Sequence, residues 1–299
     1  MSEVGWDGAK PRERFRAIVA YDGTEFLGFQ AQEHAGAPVR TVQAELEAGL
    51  GRVVGEDTRV VSAGRTDAGV HASGQVVHFD LTHPLRLGPA AFVRAVNANL
   101  PADVRLVTIG MAPPGFHARF SAISRTYRYA VENAPQASPH LRRHAWHVTT
   151  PLDVDAMVEA CRGLVGLHDY VAFGAKAPPG PTFRRVLRAN VRVVPCGGFP
   201  YDRSDSPDEM WHNCARDVIG WSLCGQLVWV EIEANAFLRQ MMRRIVGTLV
   251  RVGRGWISPS DVSSVLLRGA RADAGPAAPA HGLDLCRVEY GDAIAVSMG

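Results

Sequence analysis

The sequence contains no apolar run that approaches the ~18 residues needed for a membrane-spanning helix. Its first fourteen residues also lack the apolar segment of a secretory signal. A hydrophobic share of 46% with 21% charged residues is typical of a globular protein. We therefore predict a cytoplasmic protein without a membrane segment, and its 299 residues leave room for roughly two domains.

Cysteine is scarce, and its spacing gives little support to a metal site. The five cysteines are scattered, odd in number and without a CxxC pair, which favours reduced thiols over a disulfide framework. Cys196, His212, Cys214 and Cys224 could in principle meet around zinc. No CxxC or CxxxH hook is present, however, so we do not expect a zinc centre.

The motifs of common cofactor and nucleophile sites are also missing. No glycine-rich loop runs into GK[ST], and no GxGxxG follows a strand-like segment, so nucleotide cofactors have no support. His140, His144 and His147 stand without an HExxH motif, among arginines that would repel a cation. No GxSxG occurs, although this alone does not exclude a Ser or Cys nucleophile.

Lysine occurs only at Lys10 and Lys176, so arginine carries almost all of the positive charge. Arginine binds phosphates and stacks on bases, which is compatible with an RNA partner, but a coding bias toward arginine explains the skew equally well. Three local clusters are more informative: LRRHAWH (141–147), FRRVLR (183–188) and FLRQMMRRIVGTLVRVGRG (237–255). Each predicts either a surface that follows a phosphate backbone or a solvated face.

The sequence does contain a pattern of alternating strands and helices, which occurs twice along the chain. Alternating apolar residues predict strands, and apolar residues at helical spacing behind a cap predict helices. The predicted strands are 14–23, 74–81, 103–112, 125–133, 184–195 and 226–235, and the helices are 40–55, 89–100, 152–166, 236–253 and a last one capped by Ser258. This pattern predicts an α+β protein of two related halves, 14–113 and 114–299, with a tail at 1–13 and a surface excursion at 196–221.

One acidic residue stands among small neighbours. In SAGRTDAGVHASGQVVHFD (62–80), Asp67 lies in a glycine-flanked turn that runs into a strand. An aspartate in such a turn usually stabilises it by hydrogen bonds to nearby backbone amides. Ala68 and Gly69, however, would leave room for a planar substrate beside it. The segment YDGTEFLGFQAQ (21–32) offers aromatic and amide groups that suit unstacked bases; a turn packed by its aromatic residues is the alternative that composition favours.

Eight segments resemble, in order, motifs of the TruA family of tRNA pseudouridine synthases. They are YDGTEFLGFQAQ (21–32), TVQAELE (41–47), GRTDAGVHASGQ (64–75), VNANLP (96–101), FHARFSAISRTYRY (116–129), GLHDYVAF (166–173), FLRQMMRRIVGTL (237–249) and APAHGLDL (278–285). GRTDAGVHA alone is highly specific, and the resemblance runs from about Phe15 to Tyr290. Two departures are a longer excursion at 196–221 than bacterial members have and Met242 in place of the usual valine.

The resemblance implies the pseudouridine synthase fold, with mixed, mostly antiparallel sheets flanked by helices and an active-site cleft between two halves. It implies that a homodimer isomerises uridine to pseudouridine at positions 38, 39 and 40 of the tRNA anticodon stem-loop, without a metal or organic cofactor. Asp67 matches the catalytic carboxylate, which attacks the ribose C1′ or first removes the C2′ proton. An ionised carboxylate stabilises or traps the oxocarbenium-like state through which a glycosidic bond breaks.

Three further residues match the site of that family. Tyr127 matches a tyrosine that stacks on the target base; an inward-facing strand residue is the alternative. Arg243 matches the arginine that pairs with the catalytic aspartate, and the predicted helix 236–253 puts Arg239 and Gly247 on the same face. Arg65 matches a residue that contacts RNA near the flipped nucleotide; a phosphate clamp or a turn-stabilising ion pair are its alternatives.

Two functions of other classes stay open at this point. A non-catalytic tRNA-binding or tRNA-folding protein would need a basic surface but not Asp67, Tyr127 and Arg243 together. A base-removing RNA glycosylase would share the flipped nucleotide and the acid but would release free uracil. The complete set of three residues favours the synthase.

Overall fold

The computed structural model describes residues 13–34, 37–175, 180–194 and 225–291. The predicted excursion at 196–221 lies outside these residues, and so do the zinc candidates Cys196, His212, Cys214 and Cys224. In the described ranges, no helix has both the length and the apolar character that crossing a membrane requires.

Twelve strands and five helices make up the described part of the chain. The strands are β1 (Glu13–Tyr21), β2 (Glu33–His34), β3 (Ala37–Pro38), β4 (Val61–Ser62), β5 (His71–Leu81), β6 (Val104–Met111), β7 (Ala122–Asn133), β8 (Trp146–Val148), β9 (Gly166–Asp169), β10 (Phe183–Val194), β11 (Gln226–Ala234) and β12 (Leu283–Tyr290). The helices are α1 (Val42–Val54), α2 (Pro89–Asn97), α3 (Val154–Arg162), α4 (Met241–Gly253) and α5 (Pro259–Arg268).

One continuous sheet organises both ends of the chain. Its strands follow the order β6-β1-β5-β12-β7-β11-β10-β9, with β4 on β5 and β8 on β7. The pairs β5–β12 and β7–β8 are parallel and the remaining pairs are antiparallel. The predicted α+β class with a mixed, mostly antiparallel sheet is therefore confirmed. The late strand β12 lies between β5 and β7, so the first and second parts of the chain meet at the β5–β12 seam.

Local sequence accounts for the first part of the fold. Alternate residues of β1, beginning with Phe15, point into the core, as a period of two requires. Helix α1 begins behind Thr41, whose hydroxyl accepts a hydrogen bond from Ala44 N at 3.4 Å, the usual way to satisfy an end amide. Leu46 and Leu50 then fall one turn apart and are both buried.

Helix α4 differs from its prediction at the first turn. It begins at Met241 rather than at 236, because Gln240 adopts a left-handed conformation with φ of 64°. Phe237 and Arg239 therefore belong to the loop that precedes the helix, and the predicted shared helical face of Arg239, Arg243 and Gly247 is wrong. Nearly all of α4 is buried, so it is a core helix whose first turn reaches the seam.

Candidate active site at the seam around Asp67

Asp67 lies in the loop that joins β4 to β5. Two backbone hydrogen bonds tie this loop to the chain after β1: Phe29 N donates to Thr66 O at 3.1 Å, and Gly69 N donates to Phe26 O at 3.3 Å. Gly69 has a φ of 76°, a left-handed conformation that glycine adopts without strain. The Asp67 side chain is 28% exposed, so its carboxylate is held in place yet remains open to a substrate.

The aromatic residues that follow β1 lie beneath this loop. Tyr21, Phe26 and Phe29 are buried, and Tyr21 Oη lies 2.8 Å from Thr66 Oγ1. Gly28, with a φ of 96°, allows the close approach, because a Cβ there would lie 2.8 Å from Thr66 O. The packing interpretation of this segment is confirmed. Its use as a platform for an unstacked base is wrong for these three rings, since a buried ring has no free face to offer.

Two arginines approach the Asp67 carboxylate from the other side of the seam. Arg243 Nη1 lies 3.9 Å from Asp67 Oδ2, and Arg239 Nε lies 3.4 Å from Asp67 Oδ1. The Arg243 side chain is only 18% exposed, whereas that of Arg239 is 75% exposed. Arg243 is further held by its Nε, which donates to Ala278 O at 2.6 Å. The structure thus brings Arg243 to Asp67 as expected, at ion-pair rather than hydrogen-bond distance.

Gly247 explains how Arg243 reaches this position. One turn after Arg243, α4 packs directly on the segment that contains Pro276, and a Cβ on Gly247 would lie 1.9 Å from Pro276 O. Ala278 N in turn donates to Arg243 O at 2.9 Å. The close backbone approach predicted for Gly247 is therefore confirmed. It fixes the first turn of α4 and with it the arginine that faces Asp67.

Tyr127 lies in β7, close to the base of the Asp67 loop. Its side chain is 8% exposed, and a Cβ built on Gly64 would lie 3.7 Å from its hydroxyl. The Phe237 ring meets the Tyr127 ring edge-on at 4.8 Å. Burial raises the pKa of Tyr127, with Arg125 opposing and Asp67 reinforcing the shift, so the phenol stays protonated at neutral pH. The ring is therefore a largely buried wall of the site.

Arg65 is exposed and precedes Asp67 by two positions in the same loop. It has neither an ion pair nor a hydrogen bond with any residue in the described ranges. The turn-stabilising ion pair considered from the sequence is thus not formed by the described part of the chain. A guanidinium without protein partners is available to a phosphate or a base.

His71, the first residue of β5, supports the loop through backbone contacts. It is buried, and its Nε2 lies 2.8 Å from Arg143 O and 3.1 Å from His281 O. Its Nδ1 accepts a hydrogen bond from Gly23 N at 3.0 Å. Both ring nitrogens are therefore engaged with backbone atoms of three other segments, which fixes the start of β5 beside Asp67.

Arg125 is a residue whose role the sequence did not indicate. Its guanidinium is buried and donates to four backbone carbonyls: Ala122 O at 3.2 Å, Asn235 O at 2.9 Å, Ala63 O at 3.1 Å and Arg119 O at 2.6 Å. No acidic side chain of the described residues pairs with it. Burial lowers the pKa of Arg125, but an arginine keeps its charge at neutral pH. One side chain thus joins the Asp67 loop to two other segments at the rim.

The site contains the groups needed for acid–base and nucleophilic chemistry on an organic substrate. A half-open carboxylate faces two guanidinium groups, with a protonated phenol nearby. In the part of the chain that the structure describes, no group of three or more His, Cys, Asp or Glu side chains is placed to hold a metal ion. His140, His144 and His147 do not share a helix, since residues 140–147 form turns and the start of β8.

Comparisons with known proteins agree with this arrangement. The family model described as tRNA pseudouridine synthase matches residues 17–121 and 160–291. The curated tRNA pseudouridine synthase A of Brevibacillus brevis is 40% identical over 279 residues, which cover 93% of this chain and 100% of that protein. The proteins of the same name from Syntrophotalea carbinolica and Geobacillus kaustophilus are each 40% identical, over 92% and 94% of this chain and 95% of each relative. The chain therefore belongs to the tRNA pseudouridine synthase family, whose members are isomerases.

Proposed function

We propose that this enzyme converts uridine to pseudouridine at positions 38, 39 and 40 of the tRNA anticodon stem-loop, with Asp67 as the nucleophile. The observation that carries the proposal is the Asp67 carboxylate, open to solvent on one side and facing Arg243 and Arg239 on the other. Tyr127 lies beside Gly64, at the base of the same loop. A binding protein would have no need for a carboxylate presented in this way beside a protonated phenol.

The reaction breaks one bond to C1′ and forms another, and each step needs the groups present. As the N1–C1′ bond breaks, positive charge develops on the ribose and negative charge on the uracil. The Asp67 carboxylate adds to C1′, or removes the C2′ proton to give a glycal, and the detached uracil turns so that C5 faces C1′. The new C5–C1′ bond then forms as the Asp67–C1′ ester bond breaks or, on the glycal route, as Asp67 returns its proton to C2′. Loss of the C5 proton to solvent and uptake of a proton at N1 then restore the uracil ring.

Arg243 holds the Asp67 carboxylate in one orientation during these steps. The contacts of Arg243 with Ala278 keep its guanidinium in one place. The small exposed part of the Tyr127 ring, 8% of the residue, supplies an apolar surface for the target base in place of its neighbours in the RNA stem. Its phenol is protonated, so it can donate a hydrogen bond to the detached uracil.

A uridine inside a stem must leave the helix before Asp67 can reach its C1′. Arg65 is exposed at the rim of the site without protein partners in the described residues. We assign it to the space that the flipped nucleotide leaves, or to the phosphate beside it. The homodimer and the cytoplasmic location inferred from the sequence stay predictions.

The test uses tRNA labelled with tritium at uracil C5, incubated with the wild-type enzyme and with Asp67→Asn. Release of tritium to water by the wild type without free uracil, and no release by the variant, supports the proposal. Release of free uracil would instead identify a glycosylase. Because Asn matches Asp in size, Asp67→Asn should still bind tRNA, which filter binding measures directly; a variant that cannot bind would mean that Asp67 shapes the loop.

A further inference from the structure

Phe120 is far more exposed than the other phenylalanines that the structure describes near the site. Its side chain is 75% exposed, whereas Phe26, Phe29 and Phe116 are at most 2% exposed. Covering an exposed aromatic ring removes apolar surface from water and is therefore favourable. The FHARF segment that carries it is therefore a candidate contact surface, and the chemistry proposed above gives it no task.

The ring of Phe120 is held in a fixed stack. His117 lies against it with ring centroids 4.4 Å apart and an interplanar angle of 34°. The His117 ring is in turn fixed, because its Nδ1 accepts hydrogen bonds from Arg119 N at 3.2 Å and Phe120 N at 3.3 Å. His117 also contacts the ring of the buried His78, with ring centroids 4.7 Å apart. A ring held in this way offers its outer face with little further loss of side-chain entropy.

Charge and polarity around Phe120 suit a nucleic acid. The exposed Arg119 guanidinium lies over the Phe120 ring in a cation–π contact, 5.5 Å from the ring centre, so a stacking base would displace or share this contact. Burial, together with the nearby Arg14, lowers the pKa of both His78 and His117, which favours uncharged imidazoles at neutral pH. An uncharged aromatic stack beside an arginine combines a face for a base with a cation for its phosphate.

The stack is joined to the active site by one side chain. Arg125 Nη2 donates both to Arg119 O, next to Phe120, and to Ala63 O, at the start of the Asp67 loop. Both carbonyl oxygens therefore accept hydrogen bonds from the same nitrogen atom, at 2.6 and 3.1 Å. A nucleotide on Phe120 and a nucleotide at Asp67 would thus be bound by a single rigid frame.

We propose that Phe120, supported by His117 and flanked by Arg119, is a stacking subsite for an unpaired base of the RNA substrate other than the target uridine. The proposal rests on the proposed function for the identity of the RNA. The stacked base lies outside the reacting centre, so the subsite contributes to RNA binding and to the choice of substrate rather than to bond breaking. Recognition by stacking tolerates different bases, because every base has a π-face.

The test is a cycle of paired changes in protein and RNA. Synthetic anticodon stem-loops, each with one loop nucleotide made abasic, are bound to wild type, Phe120→Ala, Phe120→Trp and Trp256→Ala. Trp256 is the matched control, since it is 64% exposed, has Arg254 over its ring at 4.8 Å and follows the far end of α4. We expect Phe120→Ala to weaken binding of the intact stem-loop by about 5- to 150-fold, as stacking of one base does.

At one RNA position the abasic change should weaken binding to the wild type, to Phe120→Trp and to Trp256→Ala, but not to Phe120→Ala. Equal losses with Phe120→Ala and wild type at every position would overturn the proposal. So would a Phe120→Ala variant whose molecular mass by light scattering changes while its RNA affinity does not, which would assign the ring to contact between copies of the chain. This result can be distinguished from a failure of the proposed function. Tritium release can be absent although the abasic effect depends on Phe120, and it can be normal although the abasic effect does not depend on Phe120.

Discussion

Arg243 Nη1 lies 3.9 Å from Asp67 Oδ2, although the two residues come from opposite sides of the β5–β12 seam. The position of Asp67 is set by the loop before β5, and the position of Arg243 is set by the packing of α4 against the segment 274–278. Neither half of the molecule holds the pair by itself. We therefore predict that activity is sensitive to features that hold the two sides of the β5–β12 seam in register.

The two arginines at Asp67 should differ in importance. Arg243→Gln should lower kcat at least about tenfold, equivalent to about 1.4 kcal/mol of transition-state stabilisation, because its guanidinium is largely buried and fixed. Arg239→Gln should lower kcat by less than about fivefold, since an exposed ion pair contributes at most ~1 kcal/mol. Single-turnover tritium release at saturating tRNA measures both variants. Equal effects, or a larger one for Arg239, would contradict the assignment.

Gly247 should tolerate no side chain. A Cβ would meet Pro276 O at 1.9 Å, so Gly247→Ala must push α4 away from that segment. We expect a loss of about 1–3 kcal/mol or more in the free energy of unfolding, together with lower activity because Arg243 moves from Asp67. Urea denaturation measures the first effect. Gly110→Ala is the control, since nothing lies within 4 Å of the position of its Cβ; a similar loss there would argue against a steric cause.

Arg125→Lys should damage both stability and catalysis. A lysine ammonium cannot reach four carbonyls that a planar guanidinium bridges. Losing two charged hydrogen bonds should lower the free energy of unfolding by about 3–6 kcal/mol. Arg188, 48% exposed and paired with Glu233 at 3.2 Å, provides the control substitution Arg188→Lys, which should change little. Chemical denaturation measures the free energy of unfolding of both variants. Similar values for the two would contradict the structural role assigned to Arg125.

The stability of the protein should fall in mild acid because of His78. Burial, aided by Arg14, lowers the pKa of His78 from 6.5 to about 4, so the unfolded state binds the proton first as the pH falls. The contribution of uncharged His78 to the free energy of unfolding is fully present above pH 6.5. It is lost as the pH falls from about 6.5 to 4. The loss amounts to at most about 3 kcal/mol.

His78→Asn keeps an acceptor for Ala118 N, which donates to Nδ1 at 3.1 Å in the wild type, but cannot titrate. Denaturation at pH 7 and at pH 5 should therefore show a smaller acid-dependent loss in the variant. An equal loss in both proteins would mean that other groups control the acid response.

The sequence predicted the parts of this molecule that follow short-range rules. Thr41 marks the start of α1 as its capping chemistry requires, and the glycines around Asp67 mark a tight loop between strands. The start of α4 was wrong because the apolar spacing continues from Phe237 into the helix, and periodicity cannot detect the left-handed turn at Gln240. Strands as short as β4, with two residues, are too short to show alternation.

The role of Arg125 could not be predicted from the sequence, for a different reason. Its partners are backbone carbonyls, which are present at every residue and leave no trace in the sequence. The contact between Arg239 and Asp67 was hidden too, because it comes from a loop rather than from the helical face on which the sequence placed Arg239. By contrast, Asp67 and Arg243 were paired by resemblance, and the structure brings them together.

The central claim is best tested by the position of the modified uridine. Tritium-labelled tRNA transcripts with uridine at only one of positions 38, 39 and 40, and one with cytidine at all three, are incubated with wild type and with Asp67→Asn. We predict release of tritium by the wild type from each of the first three transcripts above the background of the fourth, and none by the variant. Equal release from the cytidine transcript, or from Asp67→Asn, would contradict the account.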